Sequence, residues 1–354
     1  MHPREIAQHE PARRTTNRRI KAATGPRTRA LALLLGAMLG TFGLVNAHAQ
    51  GTASTAQPYP SRALHLVNVY PPGGASDVVA RYIAQKLSDG LGQPVIVDNR
   101  AGAGGAIGND YVAKQTPDGY TILLVTGAYP VQAAMVKTLP FDPLRDIAMV
   151  SMLTQYPFVI NVLPSAPYRT LPEFIAFARS NPGKLNYSSA GIGSVHHLSG
   201  ELFNALAGTD IGHIPFRGGA APMTELLAGR VDVLFEAMTL SLPYIQAGKL
   251  RAVAVTSRER SPALPDTPVA EQSLPGYVVT SFLGIGTTAG TPAPIIERLN
   301  REIRTILATP EAARRFVELG GEPQASSPAQ MHDLVAAETA KWRKVIDTRR
   351  IERQ

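Results

Sequence analysis

The 354-residue chain has no cysteine, one tryptophan and only 6% aromatic residues. Without thiols there can be no disulfide framework, no Cys-ligated zinc and no thiol nucleophile, so stability must come from packing. The nucleotide motifs are missing as well. Gly183-Lys184 and Gly248-Lys249 are each followed by Leu instead of Ser or Thr, and Gly102, Gly104 and Gly108 form an array one residue longer than the dinucleotide fingerprint. No G-x-S-x-G elbow occurs. His197 and Glu201 stand four apart on one helical face, but no third metal ligand has recognisable spacing. Ser189, His197 and Asp77 can be drawn as a triad, yet no motif supports the choice. The expectation is a chain with no catalytic residues, no metal and no cofactor, hence not an enzyme.

Charge of one sign is scarce once the first 49 residues are set aside. These residues carry Arg13, Arg14, Arg18, Arg19, Lys21, Arg27 and Arg29, an apolar run from Ala30 to Val45, and the small-x-small triplet Ala47-His48-Ala49. That is the pattern of a signal peptide cleaved near Ala49; the apolar run is shorter than the roughly 20 residues a membrane span needs. The pair Arg18-Arg19 leaves twin-arginine and general export both open. Removing the segment takes 8 basic and 2 acidic side chains from totals of 35 and 27, leaving 27 against 25, a net +2. A nucleic-acid surface is therefore not expected. A periplasmic chain is.

After a polar linker over residues 50–61, β-rich runs alternate with helical periods: LHLVNV, a helix from about Ser76 to Leu91, PVIVD, a helix from about Ile107 to Lys114, then YTILLVT. This is the order of parallel βαβ units. A second α/β series runs from LPEFIAFARSN to VDVLFEA, and three helices close the chain, Trp342 serving as a packing anchor on the last and Gly321 as a helix-end glycine. Two lobes follow: residues 62–156 with 256–354, and residues 157–255, joined by crossing segments near Ile147–Leu163 and Leu250–Thr280.

Four stretches place glycines between a strand end and a helix start: YPPGGASD (70–77), NRAGAGGAIG (99–108), SSAGIGSVHH (188–197) and PFRGGAAP (215–222). Helix starts present free N–H groups and partial positive charge, and glycine leaves them uncovered, so a small anion is the natural guest. Asp77 suits the first turn of a helix as well as it suits ligand contact, and Arg217 suits a carboxylate clamp as well as a solvent-facing position.

The ordered set YPSRALHLVNVYPPGGASD, NRAGAGGAIG, PDGYTILLVT, KLNYSSAGIGSVHHLSGELF and IPFRGGAAPMTELLAGRVDVLFE closely resembles the substrate-binding receptors of tripartite tricarboxylate transporters, the Bug receptors, from about Tyr59 to the last helix. The resemblance implies a two-lobed periplasmic binding protein, type II-like, each lobe a mainly parallel sheet flanked by helices, with the ligand cleft between them. It implies a monomer that binds a small organic carboxylate and delivers it to membrane permease subunits; a sensor acting on a signalling partner is the alternative. By position, the first-lobe contacts are Gly73, Gly74, Ala75, Ser76 and Asp77 with Tyr129. Those of the second lobe are Ser189, Ala190, Gly191, Ser194, His197, Arg217, Gly218 and Glu236. Glu236 stands where the family commonly has Asp, and His196 and Tyr129-Pro130 replace small residues. These departures bear on which ligand is bound.

Overall fold

The computed structural model describes residues 59–216 and 220–354, so the expected signal peptide, most of the linker, and the candidates Arg217 and Gly218 lie outside the described residues. The elements run β1 (Leu64–Asn68), α1 (Ala75–Leu91), β2 (Val95–Asn99), α2 (Ala106–Ala113), β3 (Thr121–Thr126), α3 (Ala128–Met135) and β4 (Ile147–Val162). They continue α4 (Leu171–Ser180), β5 (Asn186–Ser189), α5 (Val195–Ala207), β6 (Gly212–Pro215), α6 (Ala220–Leu227), β7 (Leu234–Ala237), α7 (Met238–Gln246) and β8 (Arg251–Val255). The chain closes with β9 (Thr280–Thr288), α8 (Ala293–Leu307), α9 (Pro310–Glu318), β10 (Glu322–Pro323) and α10 (Pro328–Thr348).

The first-lobe sheet has the order β10-β4-β9-β3-β1-β2. Its β1, β2 and β3 are parallel, as right-handed βαβ crossovers require, while β9 and β4 run antiparallel to their neighbours. Alternation along the strands fills both faces. Leu64, Leu66, Ile122 and Leu124 pack with Ile83, Leu87, Ile303 and Phe316 on one side, and Val67, Leu123 and Val125 pack with Val112, Met331 and Val335 on the other. Helices therefore cover both faces, and the strand ends are left to carry loops.

The 16-residue β4 is the structural link between lobes. Its first part pairs with β9 and its second part, from Phe158, pairs with β7 and β8. Thr256, fully buried just after β8, donates its hydroxyl to the carbonyls of Phe158 and Val279, which stitches the two crossing segments together. In the second lobe β5 and β6 are parallel, and a single bridge joins Tyr187 to Val233 beside β7.

The second core draws on more of the chain than residues 157–255. Phe174, Tyr187, Phe203 and Phe235 share one cluster with Tyr277 and Val279, with Val131 and Met135 of α3, and with Trp342, Val345 and Ile346 of α10. The first half of α10, through Met331 and Val335, belongs to the first-lobe core instead. One helix thus anchors in both lobes. The left-handed residue after α9 is Gly320, with φ 77°, rather than the expected Gly321; a side chain at Gly321 would press on Thr154.

Candidate ligand site between the glycine loops

Three of the glycine stretches turn at strand ends, and the helix α3 brings two of them, one from each lobe, to the same place. Gln132 of α3 accepts from Asn109 Nδ2 at 3.0 Å and donates to the carbonyls of Ala103 and Gly104 at 3.2 and 3.3 Å. Those carbonyls belong to a loop whose residues Gly102, Ala103, Gly104 and Gly105 all have positive φ, a path that glycine takes without strain. Met135, one turn along the same helix face, abuts the other lobe: a side chain at Gly193 would come within 2.7 Å of Met135 Cγ. Gly193 has to be bare for the loops to meet.

In YPPGGASD the structure divides the expected contacts into scaffold and free donors. Asp77 is 4% exposed and its carboxylate is fully engaged. Oδ2 accepts from Gly73 N–H at 3.0 Å and from Arg81 Nε at 2.9 Å, and Oδ1 accepts from Asn99 Nδ2 at 2.9 Å. Burial alone would raise this group, but the bonds from Arg81, Gly73 and Asn99 outweigh it and hold its pKa at about 2. Asp77 and Gly73 therefore brace the turn, and the Gly73 N–H is already spent. What remains is the start of α1, where Gly74 is the N-cap residue and no side chain caps the helix. Asp77 and Val78 donate back to the Gly74 carbonyl. The N–H groups of Gly74 and Ser76 have no acceptor among the described residues.

SSAGIGS in the second lobe is built the same way, from inside. Ser194 caps α5, its hydroxyl accepting from His197 N–H and donating to Gly191 O at 2.7 Å. Gly193 N–H donates to His197 Nδ1 at 3.1 Å. Ser189 is fully buried, and its hydroxyl meets His213 Nε2 at 2.6 Å and the Gly191 amide at 3.1 Å. Ser189, Gly191, Ser194 and His197 thus shape the loop, leaving the N–H groups of Ala190 and Ile192 without acceptors among the described residues. The drawn triad does not form, since Ser189 pairs with His213 and Asp77 with Arg81.

Tyr129 lies elsewhere. It is 3% exposed in the core against Phe141, its hydroxyl donates to Pro143 O at 2.7 Å, and burial raises its pKa. Its side chain does not join the loop array. Glu236 is buried at the end of β7, accepting from His196 Nε2 of α5 at 2.9 Å.

His213 is a residue that sequence reasoning missed. It stacks on His197 with centroids 4.0 Å apart and on Tyr187 at 4.9 Å. Burial first, then the neighbouring His197, push His213 down to about 3. Burial also lowers His197, against the opposing pull of Glu201. Both rings are neutral near pH 7, which leaves His197 Nδ1 free to accept from Gly193. Histidines whose folded pKa lies below the unfolded 6.5 support the fold fully above that value and lose this support as pH falls toward the folded pKa. The melting temperature is therefore expected to drop from pH 6.5 toward pH 4, before Asp77 begins to titrate. His213→Gln, which keeps a partner for Ser189 but does not titrate there, should show a shallower drop in a pH series of melts; an unchanged slope would contradict this assignment.

Also unforeseen are the pairs Tyr70 with Thr126 and Tyr156 with Ser281. Tyr156 pairs across the sheet with Ser281, and burial pushes its pKa up to about 12 against the lowering effect of a hydrogen bond with that serine. Tyr70 lies beside Thr126 and is likewise raised by burial.

Two lobes joined by crossing strands, with one glycine loop from each lobe seated on α3, define a binding protein of the periplasmic type. Residues 79–351 match the family described as "Tripartite tricarboxylate transporter family receptor". The chain is 35% identical over 322 residues to Protein BugT of Bordetella pertussis, covering 90% of this chain and 97% of that one. Among solved structures, that described as R. palustris Rpa4515 with adipate is 35% identical with a TM-score of 0.74, covering 82% of this chain and 98% of that one. The periplasmic binding protein BugD is 31% identical with a TM-score of 0.72, covering 84% and 100%. The chain belongs to the receptor family of the tripartite tricarboxylate transporters, whose members are substrate-binding receptors and not enzymes. Among the described residues no helix is long and apolar enough to cross a membrane.

Proposed function

We propose that this chain is a monomeric periplasmic receptor that closes on a small organic carboxylate and hands it to the membrane permease subunits of a tripartite transporter. The observation that carries the reading is the start of α1, where no side chain caps the helix and the N–H groups of Gly74 and Ser76 have no acceptor among the described residues. Such a start favours an anion through both its donors and its dipole. The second-lobe loop adds the Ala190 and Ile192 N–H groups as further donors. A ligand held by both loops favours the closed arrangement, the crossing strands absorbing the motion. Adipate in a family relative is a carboxylate of the class proposed. The basic and apolar character of residues 1–49 supports export, with cleavage near Ala49. Family membership supports the transporter as partner.

A thermal-shift panel tests the ligand class. A carboxylate at about 100 times its Kd should stabilise the protein by about 2.7 kcal/mol. Stabilisation by nucleotides or metal ions alone would refute the reading.

A further inference from the structure

Behind the start of α5 lies a buried pair that the loop architecture does not use. Glu236, at the end of β7, is 1% exposed. Its Oε1 accepts from His196 Nε2 at 2.9 Å and from the Ala237 N–H at 2.8 Å, while its Oε2 has no partner among the described residues. His196 is fixed in turn by its ring against Phe158, with centroids 5.4 Å apart. It stands only two residues past Ser194, the cap of the loop that offers the Ala190 and Ile192 amides. A buried carboxylate oxygen with no partner is costly, and in a native fold it calls for a donor.

Resting on the carboxylate-receptor reading above, we infer that Glu236 Oε2 is the acceptor for a hydrogen-bond donor on the ligand, and that the bound compound is a monocarboxylate bearing a hydroxyl or ammonium group rather than a diacid. The two ends of the site then ask for opposite things. The helix starts offer only N–H donors and take the carboxylate. Glu236 offers only an acceptor, and a second carboxylate placed there would set like charges together in a buried setting. His196 serves as a positioning residue, since its bond to Oε1 fixes the carboxylate and leaves Oε2 without a partner among the described residues. The Coulombic pull and hydrogen bond of Glu236 raise the His196 pKa despite the lowering effect of burial, which keeps Nε2–H in place as donor.

Calorimetric titration with probes of two lengths decides between these ligand classes: 4-hydroxybutanoate, 4-aminobutanoate and succinate, and 6-hydroxyhexanoate, 6-aminohexanoate and adipate. At the length that fits, a hydroxyl- or ammonium-ended probe should bind the parent protein at least tenfold tighter than the diacid, and the better of the two identifies the donor. Glu236→Gln can present an amide N–H where Oε2 was, so it should reverse the order, weakening the donor-ended probe at least tenfold and strengthening the diacid. A role confined to folding would weaken all probes alike and leave the order unchanged. Tighter diacid binding by the parent, or an order unmoved in a folded Glu236→Gln protein, would overturn this inference alone. Failure of every probe at both lengths would overturn the carboxylate reading together with it.

Discussion

Gly74→Val is expected to fold and melt almost as the parent does and to bind its carboxylate at least tenfold more weakly, a loss of about 1.4 kcal/mol or more. The backbone permits the side chain. Gly74 has φ −81° and ψ 171°, an extended conformation open to valine, and a Cβ there would meet nothing nearer than the Pro71 carbonyl at 3.9 Å. As an N-cap, glycine is better than valine by about 1 kcal/mol, so a small loss of stability is expected. The glycine is thus not required by the turn, unlike Gly73 with φ 85° beside it. What the missing side chain leaves open is the approach to the N–H groups of Gly74 and Ser76. Calorimetry with the best carboxylate from the thermal panel, alongside melts without ligand, separates the two effects. Unchanged affinity would place the anion in another loop.

Trp342→Ala is expected to cost about 3–5 kcal/mol, the range for emptying a fully buried aromatic site. Trp342 is 1% exposed, and with Val345 and Ile346 it carries the end of α10 into the second-lobe core. Arg349 fastens the same end, donating to Glu201 at 2.7 Å. Because Met331 and Val335 hold the other half of the helix in the first-lobe core, the loss should also weaken the coupling between lobes. Denaturant unfolding followed by calorimetry should show a lower midpoint and a less cooperative transition. A loss under about 1 kcal/mol would mean that the site collapses around the gap or that α10 does not tie the lobes.

Much of the architecture was legible because the residues that build it keep a regular period. Helices α1 and α2 and strands β1 to β3 were expected within a residue or two of their ends. Helix α3 was not, since Tyr129 through Met135 are all buried and a helix packed on every side has no polar stripe to reveal its period. Helix α7 was hidden by Pro243 inside it. The shared core was hidden for another reason: nothing local to α10 says that Met331 and Trp342, eleven positions apart, sit in different cores.

The glycine loops could be found from spacing alone, but the work of each side chain within them could not. Asp77, Ser189, Ser194 and His197 were all candidates for touching ligand, and in the structure each is bonded to its own loop. A polar residue beside glycines is compatible with either role, and burial decides. His213 gave no local signal because its partners, Ser189 and His197, come from other elements. Tyr156 stood in an apolar run that read as a connector, and its place between lobes depends on the pairing of β4 with β9.

The central claim is that the carboxylate sits on backbone amides at the start of α1, facing the loop before α5. A crystal structure of the receptor with the ligand it retains through native purification tests this directly. The account predicts a carboxylate whose oxygens lie within hydrogen-bond distance of amides among Gly74, Ala75 and Ser76, with Ala190 or Ile192 closing from the other lobe, directly or through one water. A retained ligand without a carboxylate, or a carboxylate held away from both loops, would contradict it.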